Sequence, residues 1–106
     1  MASGKVIRQE YATWFRTGEL VTTISTAGAE YTVLYDGYLE GNLTASPGDG
    51  RIASVAVNNV MVGGVGGVSG STLVHAVGFS APVKAGDIVK TRTGIGSYNV
   101  NVYKFL

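Results

Sequence analysis

The residue types that most often carry out chemistry in proteins are few and scattered in this chain. It contains one histidine, His75, and no cysteine, so a zinc site of the usual composition cannot form. Its seven acidic residues include no pair with the local spacing of an acid–base couple. No Gly-x-Ser-x-Gly sequence marks a nucleophilic serine. We therefore expect no catalytic residue, no metal site and no cofactor, and the protein is predicted not to be an enzyme.

Two glycine-rich stretches share their composition with phosphate-binding loops. Residues 48–53 fit the spacing Gly-x-Gly-x-x-Ala, but a β-rich run follows them, whereas a dinucleotide site needs a helix at that point. The run 63–71 (GGVGGVSGS) lacks the lysine that a P-loop requires. We interpret the first stretch as a hairpin loop and the second as a mobile loop.

Composition and charge narrow the classes of protein further. At 106 residues without cysteine, one domain must be stabilised by packing or by self-association. Charged residues make up 14% of the chain, against about 25% in typical globular domains. Part of the surface is therefore expected to be covered by another copy, the alternative being a surface of uncharged polar residues. The net charge of +1, with no basic block, argues against nucleic-acid binding.

Hydropathy argues against a membrane protein. The amino-terminal residues contain no apolar core of a signal peptide, so no signal peptide is expected. No uninterrupted apolar run approaches the about 20 residues that a spanning helix needs, and no membrane insertion is predicted.

The elements that must position any site are β-strands. In residues 38–45, Leu39, Leu43 and Ala45 alternate with polar residues, the period of a strand with one buried face. Asn58-Asn59 is predicted to form a tight hairpin turn, since asparagine tolerates the left-handed region. The predicted strands are 20–25, 30–35, 38–45, 52–57, 60–62, 72–80, 88–91 and 97–106. About eight short, evenly spaced strands fit a sandwich, jelly roll or barrel over residues 20–106, preceded by a lead-in strand or arm over residues 1–19.

Aromatic and asparagine residues are the candidates for a binding surface. Flat rings stack on sugar faces and anchor interfaces, although packing in the core is the simpler role for any single ring. We predict that Tyr35 and Tyr38, together with Asn58 and Asn59, contact a ligand. Core or interface roles are predicted for Phe79 and Tyr98.

Four segments together resemble the carboxy-terminal knob of bacteriophage tail fibres. They are YTVLYDGYLEGNLTA (31–45), GDGRIASVAVNNVMV (48–62), FSAPVKAGDIVKTRTG (79–94) and YNVNVYKFL (98–106). More broadly, the pattern is similar to trimeric jelly rolls of the tumour-necrosis-factor and complement type. The resemblance implies an antiparallel jelly-roll β-sandwich that forms a homotrimer. It further implies that Gly37, Gly86 and Asp87 shape turns, and that Tyr103 and Phe105 lie in the core or at the threefold interface.

The resemblance also implies a role. Knobs of this kind attach a virion to a polysaccharide or protein receptor on the host-cell surface, and they join other tail proteins in the virion. The expected function is therefore receptor binding at a fibre tip or tail. A structural decoration or tail-tip protein and a small jelly-roll lectin are the alternatives.

Overall fold

A computed structural model describes residues 18–70, 72 and 74–106 of the chain. The arm predicted for residues 1–19 lies outside this part, apart from Gly18 and Glu19, and Glu19 already belongs to the first strand. The described residues form eight strands and no helix, so the all-β prediction is confirmed. The strands are β1 (Glu19–Ile24), β2 (Glu30–Thr32), β3 (Gly37–Thr44), β4 (Ile52–Val57), β5 (Val60–Gly66), β6 (Ala76–Val83), β7 (Ile88–Thr91) and β8 (Ser97–Lys104).

The strands form two antiparallel sheets of four. Sheet A has the order β1-β8-β3-β6 and sheet B the order β2-β7-β4-β5. The first strand pairs with the last, the second with the seventh, the third with the sixth and the fourth with the fifth. Two further pairings, β3 with β8 and β4 with β7, join these pairs into sheets. Successive pairs along the chain therefore alternate between the two sheets.

Both sheets contribute one face to a common apolar core. Leu39 and Leu43 of β3 and Val100 of β8 are fully buried in sheet A, and Ala53, Val55 and Val89 are fully buried in sheet B. This is the face that the alternation in residues 38–45 predicted. Two antiparallel sheets that bury one face each against a shared core are consistent with a β-sandwich.

The glycine-rich run is where the sequence prediction was wrong. Residues 63–66 belong to β5 rather than to a mobile loop. Gly63 sits opposite Val55 of β4, and a Cβ atom on Gly63 would lie 2.9 Å from Cγ of Phe79. The missing side chain thus makes room for the Phe79 ring between the two sheets. Glycine is required at position 63 because the Phe79 ring leaves no room for a side chain, whereas the glycine-rich composition of the run had suggested a flexible backbone.

Other boundaries differ from the predicted ones for local reasons. β2 ends at Thr32, three residues early, because Val33 bonds to the turn at Asp87 and Gly86 instead of to a strand. β6 begins at Ala76, so His75 precedes the strand. Pro82 lies inside β6, which is the edge strand of sheet A and so tolerates a residue without an N–H.

The connections gather at two ends of the molecule. The terminal end, as we call it, comprises residues 33–36, 58–59, 84–87 and 105–106, together with the start of β1. Hydrogen bonds tie these segments together, from Phe105 N to Asp36 O and from Gly86 N to Val33 O. The opposite end comprises residues 25–29, 45–51, 67–75 and 92–96, apart from Ser71 and Leu73, which lie outside the described residues.

Candidate functional site

The outer face of sheet A carries a row of apolar and aromatic residues near the terminal end. The row crosses all four strands, since Leu20 pairs with Tyr103, Tyr103 with Tyr38, and Tyr38 with Pro82. Paired residues of antiparallel strands project to the same side of the sheet, so the four side chains are neighbours. The tyrosines are half-buried and Leu20 is exposed. We call these residues the aromatic row.

Tyr38 is held firmly within this row. Its ring stacks on the ring of Tyr103, with centroids 4.9 Å apart and planes inclined by 15°. Phe105 packs against it at 5.9 Å in a tilted arrangement. The backbone N–H of Gly18 donates a hydrogen bond of 2.8 Å to the Tyr38 hydroxyl. The ring and the hydroxyl of Tyr38, a residue predicted to contact a ligand, therefore both make contacts within the chain.

Polar residues occupy the same face beyond the aromatic row. One row contains Thr23, Asn101, Glu40 and Ser80, and the next contains Asn99, Asn42 and Gly78. The rows are two residues apart along each strand, which is about 7 Å. All of these residues except Thr23 line an open groove of about 560 Å³. We call this groove the polar trough and define it by Glu40, Asn42, Gly78, Ser80, Asn99 and Asn101.

Unequal side chains on adjacent strands create the trough. On the outer face, β6 presents the small residues Gly78 and Ser80 to the lining, whereas β8, on the other side of β3, presents the longer amides Asn99 and Asn101. A Cβ atom on Gly78 would meet only the Gly41 carbonyl oxygen, at 3.7 Å, which is ordinary contact. The trough is thus open because Gly78 has no side chain, and the backbone there does not require glycine.

The chemistry of the trough is hydrogen bonding with little charge. The Thr23 hydroxyl donates to the Asn101 amide oxygen over 2.8 Å, which fixes that amide from the side of β1. Each amide side chain carries both donors and an acceptor, and serine adds a hydroxyl. Glu40 is exposed and is the only charged side chain that the described part of the chain contributes to the lining. Such a surface can bind an uncharged, hydroxyl-rich ligand, and it offers no activated nucleophile.

At the terminal end, the side chains of Asn58 and Asp87 form a hydrogen-bond network. Asn58 and Asn59 adopt φ angles of 50° and 66°, as expected for the predicted tight turn. The Asn58 amide donates to the Asp87 carboxylate over 3.0 Å and accepts from Ile88 N over 2.9 Å. Asp87 also accepts a hydrogen bond from Lys84 N. This hydrogen bond has the largest effect in lowering the pKa of the Asp87 carboxyl group, and the hydrogen bond from Asn58 lowers it further. The Asn58 side chain is therefore engaged in the scaffold rather than free for a ligand.

The other predicted scaffold and ligand residues also lie at this end. Gly86 has a φ of 96° in the turn before Asp87. Gly37 is the first residue of β3 rather than a turn residue, and a Cβ atom on it would collide with the Tyr103 carbonyl oxygen. Tyr35 is 48% exposed, with Lys104 Nζ 4.7 Å above its ring, and Asn59 is exposed. The predicted ligand residues thus share one end of the molecule, and their contact with a ligand stays a prediction.

The residues predicted for the core or an interface divide into three groups. Tyr98 is buried in the core, and its hydroxyl donates to Ile95 O over 2.8 Å. Phe79 is half-buried against the same core. Tyr103 lies in the aromatic row on the outside of sheet A. Phe105 is 59% exposed in the single chain, so a core position does not hold for it and only the interface role remains a prediction.

An arginine–carboxylate pair anchors the loops of the opposite end. Arg51 Nη2 contacts Asp49 Oδ2 at 2.7 Å and also donates to Gly94 O at 3.1 Å. The hydrogen bonds from the Arg51 side chain and backbone lower the pKa of Asp49 to about 2. Because this carboxylate is fully engaged, the pair holds two loops together and is not a candidate acid or base.

The outer face of sheet B has a different character. Ile52 and Ala56 of β4 face outward beside Met61 and Gly64 of β5. A Cβ atom on Gly64 would lie 2.8 Å from the Met61 sulfur, so the methionine side chain lies across this glycine. Ile52 is 46% exposed and Met61 is 58% exposed. We call these four residues the apolar face.

Comparisons with models of protein families, with curated proteins and with solved structures found no match to this chain. Within residues 18–70, 72 and 74–106, no group of three or more side chains could hold a metal ion. The same part of the chain contains no helix long and apolar enough to cross a membrane. The class of protein that the described residues define is therefore a two-sheet, all-β domain with a polar trough on one outer face and an apolar patch on the other.

Sequence reasoning missed the trough itself. Its residues come from β3, β6 and β8, which are adjacent in sheet A and far apart in the sequence. One local signal pointed to it: the outward members of the alternation in β3, Glu40 and Asn42, are polar, and Asn99 and Asn101 repeat that pattern in β8. Pairing β3 with β8 in the correct register was the step that the sequence could not supply.

Proposed function

We propose that this protein is a non-enzymatic attachment domain of a bacteriophage tail fibre or tail tip, and that it binds a polysaccharide on the surface of the host cell. The polar trough is the single observation that carries the proposal. Convergent amides and hydroxyls in a shallow groove, with one carboxylate, suit a ligand made of hydroxyl groups. The resemblance of residues 31–62 and 79–106 to tail-fibre knobs adds the viral setting, and with it a location in the virion.

The topology supports a jelly roll as the finer description of the fold. In a jelly roll, one long antiparallel hairpin wraps around a core so that successive strand pairs fall in alternate sheets. The pairings of β1 with β8, β2 with β7, β3 with β6 and β4 with β5 follow that order. A jelly roll has eight strands in two sheets, and the described residues form two sheets of four strands.

A homotrimer is the second part of the proposal. A closed threefold ring joins two different patches of neighbouring copies, because its interfaces are heterologous. The chain exposes two separate apolar patches that suit such a contact. One is the apolar face, and the other is the carboxy-terminal pair Phe105 and Leu106, 59% and 69% exposed. Three copies of a shallow trough then bind a repetitive surface by avidity, which compensates for weak single contacts.

Attachment to cells tests the function. Fluorescently labelled protein is incubated with a panel of bacterial strains, before and after periodate oxidation, which cleaves the vicinal diols of surface sugars. We expect saturable attachment to at least one strain and its loss after oxidation. Attachment that survives oxidation but not protease treatment would indicate a protein receptor instead.

A structural role in the virion is the alternative, and the exposed apolar patches favour it. A decoration or tail-tip protein needs surfaces for other virion proteins but no groove for a sugar. Saturable binding to phage particles, with no attachment to any strain of the panel, would support this alternative and contradict the attachment proposal.

A further inference from the structure

We infer that the polar trough binds an uncharged saccharide chain, and that Gly78 is the residue that keeps the trough open for it. This inference rests on the proposed attachment function and deepens it by narrowing the ligand to uncharged saccharides and by naming the residue that keeps the site open. It moves the binding site away from Tyr35, Tyr38, Asn58 and Asn59 to the centre of the outer face of sheet A.

The hydrogen-bonding groups of the trough select the ligand class. A saccharide presents neighbouring hydroxyl groups that each donate and accept, and amide side chains match both roles. Asn42 and Asn99 lie opposite each other on paired strands, and Asn101 and Glu40 repeat this arrangement one row away. Two such rows, about 7 Å apart along the strands, can engage successive parts of a chain that runs parallel to β3.

Charge decides between uncharged and acidic saccharides. Among residues 18–70, 72 and 74–106, Glu40 is the only charged side chain that lines the trough, and no lysine or arginine of that part lines it. The nearby cation of the terminal end, Lys104, already faces Glu19 at 3.7 Å and the Tyr35 ring at 4.7 Å. A ligand carboxylate or phosphate would therefore meet a like charge without a compensating cation, whereas sugar hydroxyls can donate to the Glu40 carboxylate.

Gly78 provides a way to close the trough without disturbing the fold. It lies on the edge strand β6 opposite Asn42, and the space above it is open. A glutamine at this position would extend an uncharged side chain across the trough toward Asn42. Because glycine inside a strand is less favourable than a residue with a side chain, we expect Gly78→Gln to keep or slightly raise the stability.

A matched control exists on the other sheet. Gly66 lies on the edge strand β5, on the outer side of sheet B, and the nearest atom to a Cβ on it is Ile52 Cγ1 at 3.9 Å. Gly66→Gln makes the same chemical change on an edge strand without touching the trough. Because Gly66 pairs with Ile52 of the apolar face, light scattering must first show that this variant has the mass of the wild type. Circular dichroism and thermal unfolding of both variants verify that each is folded.

The test measures binding of the full chain to immobilised polysaccharides. The probes are neutral polysaccharides (dextran, mannan and galactan) and acidic ones (alginate and polysialic acid). We expect wild-type protein and Gly66→Gln to bind at least one neutral polysaccharide with equal affinity and to bind neither acidic one. Gly78→Gln should bind that polysaccharide at least about tenfold more weakly, the equivalent of one or two lost hydrogen bonds.

Three results would overturn the inference. They are binding to acidic polysaccharides alone, binding to no neutral polysaccharide of the panel, and equal binding by Gly78→Gln and wild type. Attachment of folded Gly78→Gln to cells at the wild-type level would refute this assignment of the site while leaving the attachment function standing. Failure of the wild-type protein to attach to any strain would instead refute the attachment function.

Discussion

The outer faces of the two sheets differ in chemistry, although each is mixed: sheet A also carries the aromatic row, and sheet B also carries the ion pair of Lys90 and Glu30 beside Ala56. Sheet A exposes the polar trough, whereas sheet B exposes Ile52 and Met61 over Gly64. The inner faces cannot diverge in this way, because both must fill one apolar core. The inward-facing residues of the strands therefore specify the fold, whereas the outward-facing residues can take part in binding. We assign ligand binding to one outer face and self-association to the other.

The largest expected effect concerns two glycines that lie almost side by side on sheet A. Gly41 of β3 is flanked by β6 and β8, and a Cβ atom on it would collide with the Asn99 carbonyl oxygen. Gly41→Ala should therefore lower the free energy of unfolding by about 2 kcal/mol, a typical cost of forced overpacking. Gly78→Gln is its control, since the space above Gly78 is open.

Urea unfolding followed by circular dichroism measures both variants. Equal stability of Gly41→Ala and wild type would show that β3 and β8 do not approach each other as closely as described. The trough lies directly above this contact, so its geometry would then also be in doubt.

The next effect concerns the apolar face. Met61→Glu places a charge on the surface proposed to meet a neighbouring copy, where it would lose water without gaining a partner. In the single chain Met61 is 58% exposed, so the variant should remain folded. We expect light scattering to give the mass of a trimer for the wild type and a smaller mass for Met61→Glu at the same concentration.

Thr44→Glu is the matched control for this charge. Thr44 faces outward on sheet A, so the same change of charge falls on the other outer face. A wild-type mass other than a trimer would contradict the trimer, and a lower mass for Thr44→Glu alone would assign the contact to sheet A.

The smallest expected effect is a dependence of stability on acid at the opposite end. The pKa of Asp49 is lowered from 3.8 to about 2 by its hydrogen bonds with Arg51. A carboxyl group with a lowered folded-state pKa stabilises the fold above its unfolded value. Its contribution should thus be complete above pH 3.8 and disappear as the pH falls toward about 2.

Melting temperatures measured between pH 5 and pH 2 check this dependence. Asp49→Asn should melt slightly below wild type at pH 5, and the two should converge near pH 2. A constant difference over this range would mean that the ion pair with the exposed Arg51 contributes nothing that depends on pH.

Much of the fold could be predicted from local patterns. The alternation around Leu39 and Leu43 identified both the strand and its buried face, because a period of two is a property of the strand itself. The turn at Asn58-Asn59 followed from the tolerance of asparagine for positive φ. These signals depend only on residues that are neighbours in the sequence.

The sequence was least informative where the surroundings of a residue are set by a segment far away in the chain. Gly63 was interpreted as part of a mobile loop, but it lies in β5, where the Phe79 ring occupies the space that a side chain would need. For Asn58, ligand contact stays a prediction, and the hydrogen bonds that hold its amide to Asp87 and Ile88 could not be foreseen from the sequence. The trough joins Asn42, Gly78 and Asn99 through pairings that no local pattern encodes. The candidate site could therefore not be assembled from the sequence, because only the pairings of β3 with β6 and β8 bring its members together.

Attachment of Gly78→Gln and Gly66→Gln to the same periodate-sensitive bacterial cells tests the central claim most directly. Bound protein is measured against concentration for the two variants and the wild type, with equal oligomeric mass verified beforehand. The account predicts wild-type attachment by Gly66→Gln and strongly reduced attachment by Gly78→Gln. Equal attachment by both variants would contradict the assignment of ligand binding to the outer face of sheet A.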